Sequence, residues 1–162
     1  MRVARVQKES SFTGSEHGSS WSIRHRIPSD AAIGSELVND LIEAMAQRDW
    51  PPTDLFRVQL AYEEAIVNAI RHGNGHSQEK TVDVEMTCDH ERVMIRIEDQ
   101  GEGFDPAEVP DPRQEELLDV PGGRGVLLIH EVMSEVRYNS LGNEVTMIKI
   151  KGDEPYAEDS ED

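Results

Sequence analysis

Trp21-Ser22-Ile23-Arg24-His25-Arg26-Ile27 alternates apolar and polar residues, the period of a strand with one buried face, and Pro28 closes it. The period then changes. Behind Ser29 and Asp30, which offer N-caps, Ile33, Leu37, Leu41 and Met45 recur every four residues, and Val38 and Ile42 widen the stripe into a helical face. Trp50-Pro51-Pro52 ends that helix. Thr53 can cap a second one, whose apolar face comprises Leu55, Val58, Tyr62, Ile66, Ala69 and Ile70 and runs until His72-Gly73-Asn74, where Gly73 fits a C-terminal cap. Thr81 to Cys88 and Arg92 to Glu98 alternate again, joined through Asp89-His90-Glu91 in the manner of a hairpin. Residues 99 to 123 are dominated by Gly, Pro, Asp and Glu, and so long a stretch without periodicity inside a domain points to a functional lid. Arg124 to Ser134 reads as a third helix, and Val136 to Tyr138 and Val145 to Ile150 as strands around Gly142-Asn143. The order βααββ, lid, αββ predicts an α/β two-layer sandwich, its mostly antiparallel sheet covered on one face by three helices.

Length and charge narrow this picture. The 162 residues suffice for one domain with one core. Residues 1–19 carry no sustained period, and Gly152 to Asp162 is acidic and almost without apolar residues, so the expected organisation is a mobile N-terminal tail (1–19), a domain (20–151) and an acidic mobile C-terminal tail (152–162). A net charge of −17 argues against a direct nucleic-acid partner, which would call for clustered Lys and Arg, and leaves an acidic face that could steer a basic protein. Cys88 is the sole cysteine and falls in an alternating apolar run, so it reads as a buried structural thiol in a reducing compartment. No apolar run approaches a membrane span and no signal peptide opens the chain; a soluble cytoplasmic protein is expected.

Three segments carry candidate chemistry. In the second helix, Glu64 and Asn68 stand one turn apart on one side, where an amide oxygen can ligate a hard cation such as Mg²⁺ while a carboxylate handles a nearby proton. Glu63 is a second acid, but on a helix it points about 100° away from Glu64. After the fourth strand, Glu98-Asp99-Gln100-Gly101-Glu102-Gly103 places Asp99 at a strand end, able to accept a hydrogen bond from an amine, with glycines that let backbone approach a flat ligand. The regular oxygen series of a calcium loop is missing there. Gly122-Gly123-Arg124-Gly125 runs into a helix N-terminus suited to phosphate, with Arg124 adding charge, yet it is neither a Walker A motif nor a dinucleotide fingerprint. His72, His76 and His90 are too scattered for a zinc site.

Taken in order, EEAIVNAIRHGN, IEDQGEGFDP and GGRGVLLIHEVMSEVRYNSLGNEVTMIK resemble the N, G1 and G2 boxes of GHKL ATPases, and most closely those of anti-sigma-factor serine/threonine kinases. RIPSD at Arg26 to Asp30 resembles that family's entry to its first helix, so the likeness spans about residues 21 to 150. The resemblance implies the GHKL ATPase fold and ATP and Mg²⁺ as cofactors. Glu64 would be the general base and Asn68 the Mg²⁺ ligand. Asp99 would hold the adenine amino group above Gly101 and Gly103, with Gly123, Arg124 and Gly125 near the phosphates. Many relatives have a Gly-Thr-Thr segment near the C-terminus that reaches the adenine site; Asn143-Glu144-Val145-Thr146 stands here instead, leaving Thr146 as the candidate.

The same resemblance implies an anti-sigma-factor antagonist as the phosphorylated partner, a sigma factor as the sequestered one, and a homodimer. A nucleotide-dependent module that binds a partner without kinase activity is the alternative. A detached histidine-kinase catalytic domain would need a helical hairpin carrying a phosphoaccepting histidine, and His25 falls in a predicted strand.

Overall fold

The structure is a computed structural model that describes residues 7–13, 20–101 and 123–153, and the side chains of 20–101 and 128–153 among them. Its elements, in chain order, are β1 (Gln7–Thr13), β2 (Ser20–Pro28), α1 (Ala31–Glu36), α2 (Val38–Ala46), α3 (Pro52–Val67) continuing into a π-helical turn (Asn68–Gly73), β3 (Thr81–Cys88), β4 (Arg92–Glu98), α4 (Gly123–Val132), β5 (Glu135–Tyr138) and β6 (Glu144–Ile150). The strands form one sheet in the order β1-β2-β3-β4-β6-β5, every neighbouring pair antiparallel. Because β6 lies between β4 and β5, those two strands run the same way, and the chain joining them must cross a face of the sheet. It does so through α4, which packs beside α3. The result is the two-layer α/β sandwich of the GHKL ATPase type, with an open antiparallel sheet of five strands, β2 to β6, that β1 extends at one edge.

The alternation read from the sequence sets the two faces. Ile23 and Ile27, Val82, Val84, Met86 and Cys88, and Val93, Ile95 and Ile97 are all buried against Leu41, Met45, Val58, Tyr62, Ile66, Ile70, Ile129 and Met133 of the helices. Burial pushes the Cys88 thiol up to about 12, as suits a structural residue. The opposite face carries ion pairs. Arg26 bonds Asp83 at 2.9 Å, and Arg96 bonds Glu85 at 3.0 Å and Glu144 at 3.1 Å, joining three adjacent strands. In water such pairs fix register more than they stabilise.

Several boundaries differ from the sequence reading. Gln7–Thr13, expected in a mobile tail, pairs along its length with β2, Gln7 opposite Arg26 and Thr13 opposite Ser20. An edge strand is held by backbone hydrogen bonds and requires no apolar period, so periodicity alone does not find it. The first helix divides at Leu37. There the buried hydroxyl of Tyr62 donates to the carbonyl of Gly34 at 2.6 Å, and Leu37 N–H bonds the same oxygen at 3.3 Å, tightening the chain between α1 and α2. Gly34 also permits the close approach, since a Cβ there would lie 2.8 Å from Ile66 Cγ1 on α3. Thr53 does not cap α3; Pro51 is the N-cap and Pro52 fills the first helical position, where a missing N–H costs nothing. Residues 102–122 of the expected lid and 154–162 of the expected acidic tail lie outside the described residues. Among the described residues no helix is long and apolar enough to cross a membrane.

The chain is clasped just beyond β6. Lys149, fully buried, places Nζ 3.4 Å from Asp54 Oδ1 at the start of α3 and donates to the carbonyls of Ile150, at 2.9 Å, and Asp153. Gly152 N–H donates to the other Asp54 oxygen at 2.7 Å, and Lys151 Nζ donates to Arg48 O at 2.8 Å. Gly152 and Asp153 therefore belong to the domain. Removing one member of a buried ion pair strands the other, so Lys149→Met is expected to cost about 3–5 kcal/mol of stability. Adding Asp54→Leu should recover part of that loss, which denaturant midpoints of the single and double variants would measure.

Candidate functional site

The C-terminal end of α3 does not close as an ordinary helix. From Asn68 onward the turn widens, and Asn74 N–H bonds Ala69 O at 2.8 Å, five residues back. His76 N–H bonds Ile70 O at 2.9 Å, with Gly75 and His76 both at positive φ, so the chain reverses sharply toward β3. The wide turn brings Gly73 against the end of β4. A Cβ on Gly73 would overlap the Asp99 carboxylate, and a Cβ on Gly101 would overlap the carbonyl of Gly73. Glycine is required at both positions because two backbone segments and a carboxylate share one small volume.

Asp99 lies at the centre of this contact. Alternation along β4 turns it toward the helices, as it does Ile95 and Ile97. Its Oδ1 accepts from Gly101 N–H at 2.8 Å, while among the described residues Oδ2 takes no hydrogen bond. Burial pushes its carboxyl above the usual carboxylate range, an effect opposed by the Gly101 bond and by the charge of Lys80 and reinforced by Glu98. A half-buried acid with one oxygen engaged and the other available is suited to accept a hydrogen bond from a ligand amine.

Two asparagines that the sequence reading placed only in turns hold this region. Asn74, 3% exposed, accepts from Gln100 N–H at 2.7 Å and donates to Ser29 Oγ and Thr81 O, each at 3.0 Å. Asn143, in the β5–β6 turn, donates to Asp99 O at 3.1 Å and accepts Asp99 N–H on its own carbonyl at 2.9 Å. Asn139 orders that turn by accepting from Gly142, Asn143 and Glu144 N–H. A recognisable signal existed for these residues, since Asn beside Gly marks a turn, but spacing cannot say which loop a turn amide will bond.

Glu64 and Asn68 remain one helical turn apart, Asn68 N–H bonding Glu64 O, and both are half-buried at the same end of α3 as Gly73. Glu63 faces elsewhere. Its carboxylate accepts from Ser35 Oγ on α1 at 3.0 Å, whereas Glu64 makes no hydrogen bond among the described residues. Gly123, Arg124 and Gly125 open α4, and their side chains are outside the described set; Gly103 lies outside it altogether. Thr146 is misplaced for adenine contact. Its register partners are Arg96 and Arg137, so it belongs to the ion-paired outer face, while Val145 and Met147 face the helices. The expectation failed because a threonine three residues past Asn143 has the wrong strand parity.

Residues 27–149 match the family model described as the histidine kinase-like ATPase domain. The chain belongs to that family. No curated protein matches the chain significantly. The family implies that ATP is the ligand, and Gly73, Asp99 and Gly101, where the segments that resemble the N and G1 boxes come together, are the candidate place for it. Among the described residues no cluster of three or more His, Cys, Asp and Glu is arranged to hold a metal.

The packing sets an order of tolerance. Gly101→Ala drives a Cβ into backbone and is expected to cost about 1–3 kcal/mol. Gly73→Ala meets a carboxylate that can rotate away and should cost less; thermal melts showing the reverse order would contradict the contact described. The Asp99 carboxyl, raised on folding, favours the folded chain fully below its unfolded-state range and loses that contribution as pH rises through its folded value. Asp99→Asn should therefore melt at or above the wild type at pH 7 without nucleotide, with the difference closing as pH falls through the carboxylate range.

Proposed function

We propose that this domain is an anti-sigma-factor-type serine/threonine kinase, which binds ATP, phosphorylates an anti-sigma-factor antagonist and sequesters a sigma factor. The observation that carries the nucleotide reading is the half-buried Asp99 carboxylate, held between Gly73 and Gly101 with Oδ2 available for the adenine amine. Gly101 gives the base a flat floor, and the start of α4 at Gly123, with Arg124 and Gly125, is assigned to the phosphates.

Asn68 would hold Mg²⁺ through its amide oxygen, and the ion supplies charge neutralisation at the phosphates. Glu64 is the general base. As the partner's serine or threonine oxygen bonds to the γ-phosphorus, the hydroxyl proton passes to Glu64, and the bond to the departing ADP oxygen breaks. Glu64 suits this role better than Glu63 because among the described residues its carboxylate is uncommitted, while that of Glu63 is bonded to Ser35. The wide turn at Asn68–Gly73 links the two functions structurally, since the segment that carries Asn68 also supplies the glycine that admits Asp99.

A histidine-kinase role with phosphate carried on His25 has no support, because that residue is 2% exposed on the helix-facing side of β2. The homodimer, which follows from the resemblance, and the cytoplasmic setting, which follows from the sequence reading, belong to the proposal.

Transfer of radiolabel from ATP to a candidate antagonist is the test. Glu64→Gln should retain ATP binding and partner sequestration while transfer falls by about 10²–10⁴-fold. A wild type that binds ATP and sequesters a sigma factor but transfers nothing would replace the kinase reading with that of a nucleotide-dependent binding module. Normal transfer by Glu64→Gln would move the base to Glu63.

A further inference from the structure

We infer that Asn74 is a positioning residue for base selection: by holding Gln100 it fixes Asp99 where an adenine amine can be read, and without it the site loses its preference for adenine over other purines. The inference rests on the ATP reading above. Asn74 is almost fully buried, and each kind of polar group on its amide is used. Its two N–H bonds go to Ser29 Oγ at the end of β2 and to Thr81 O at the start of β3, at 3.0 Å each. Its oxygen takes Gln100 N–H at 2.7 Å, the shortest of the three.

The arrangement is more than a helix cap. Ser29 Oγ donates onward to Lys80 O at 2.8 Å, and Gln100 Oε1 accepts from Thr81 N–H at 2.8 Å. Asn74 thus joins the ends of β2 and β3 to the residue that follows Asp99. A carboxylate reads an amine only if its free oxygen stays within hydrogen-bond reach, and displacement of the order of an ångström removes most of that selectivity. Asn143 fixes the Asp99 backbone from one side, and Asn74 fixes the next peptide from the other. With Asn74 truncated, Gln100 N–H loses its partner, and the turn from Asp99 to Gly101 is free to swing away from Gly73.

The readout is the ratio of ATP to inosine triphosphate affinity, because inosine presents a carbonyl where adenine presents the amine. A residue that only stabilises the fold would weaken both nucleotides alike. In the full chain, titration calorimetry should show wild type preferring ATP, and Asn74→Ala reducing that preference by about tenfold or more, with inosine triphosphate affinity little changed. The combined Asn74→Ala, Asp99→Asn variant should be no worse than Asp99→Asn alone, since both changes remove one interaction. An unchanged ratio in folded Asn74→Ala, or full additivity in the double variant, overturns the inference. If Asn74→Ala fails to fold, Asn74→Asp decides: it keeps the acceptor for Gln100 while losing both donors, so a retained preference supports the role and a lost one rejects it. A wild type that binds neither nucleotide would instead remove the ATP reading itself, a result separate from all of these.

Discussion

The contact on which the site depends is the one between the backbone at Gly73 and the carboxylate of Asp99. It joins the end of a helix to the end of a strand at a separation no side chain tolerates. Everything near it accommodates that closeness. The helix widens over Asn68–Gly73, Gly75 and His76 take left-handed backbone so the chain can leave, and Gly101 gives up its own side chain to lie on the Gly73 carbonyl. A half-buried acid is the outcome, with a proton affinity raised by the same packing that presents it. On the proposed nucleotide reading, stability and ligand recognition pull in opposite directions at Asp99.

The architecture was largely legible in the sequence because it follows from period. Val82 through Cys88 alternate without a fault, Val93, Ile95 and Ile97 keep the same period across Met94, and each of these apolar positions is buried where the alternation puts it. Helix stripes such as Val58, Tyr62 and Ile66 behave likewise. Period failed where other forces decide. β1 pairs with β2 through its backbone without an apolar period; α1 and α2 part because a tyrosine hydroxyl from a distant helix intrudes; α3 opens on proline rather than on the threonine that propensity favours. Nothing in the sequence marks Lys149 as buried, and its partner Asp54, far away in sequence, explains its position.

The site was legible in its chemical groups and less so in its geometry. Glu64, Asn68 and Asp99 could be named from spacing and resemblance, and the structure gathers Gly73 and Gly101 around Asp99 with Glu64 and Asn68 at the same helix end. Thr146 was lost to strand parity, a distinction of one residue that motif likeness does not resolve. Asn74 and Asn143 did not stand out in the sequence because their significance lies in what they bond across the fold.

The helix that carries these residues is held like a beam clamped at both supports. At its first turn Asp54 is engaged by Lys149 and Gly152, and beyond its last turn Asn74 and Gly73 are engaged by the ends of three strands. A beam clamped in this way cannot slide along its axis against the sheet. Between the two clamps lies the wide turn, whose hydrogen bonds span one residue more than those of an α-helix, so a twist imposed on α3 would meet its looser pitch there.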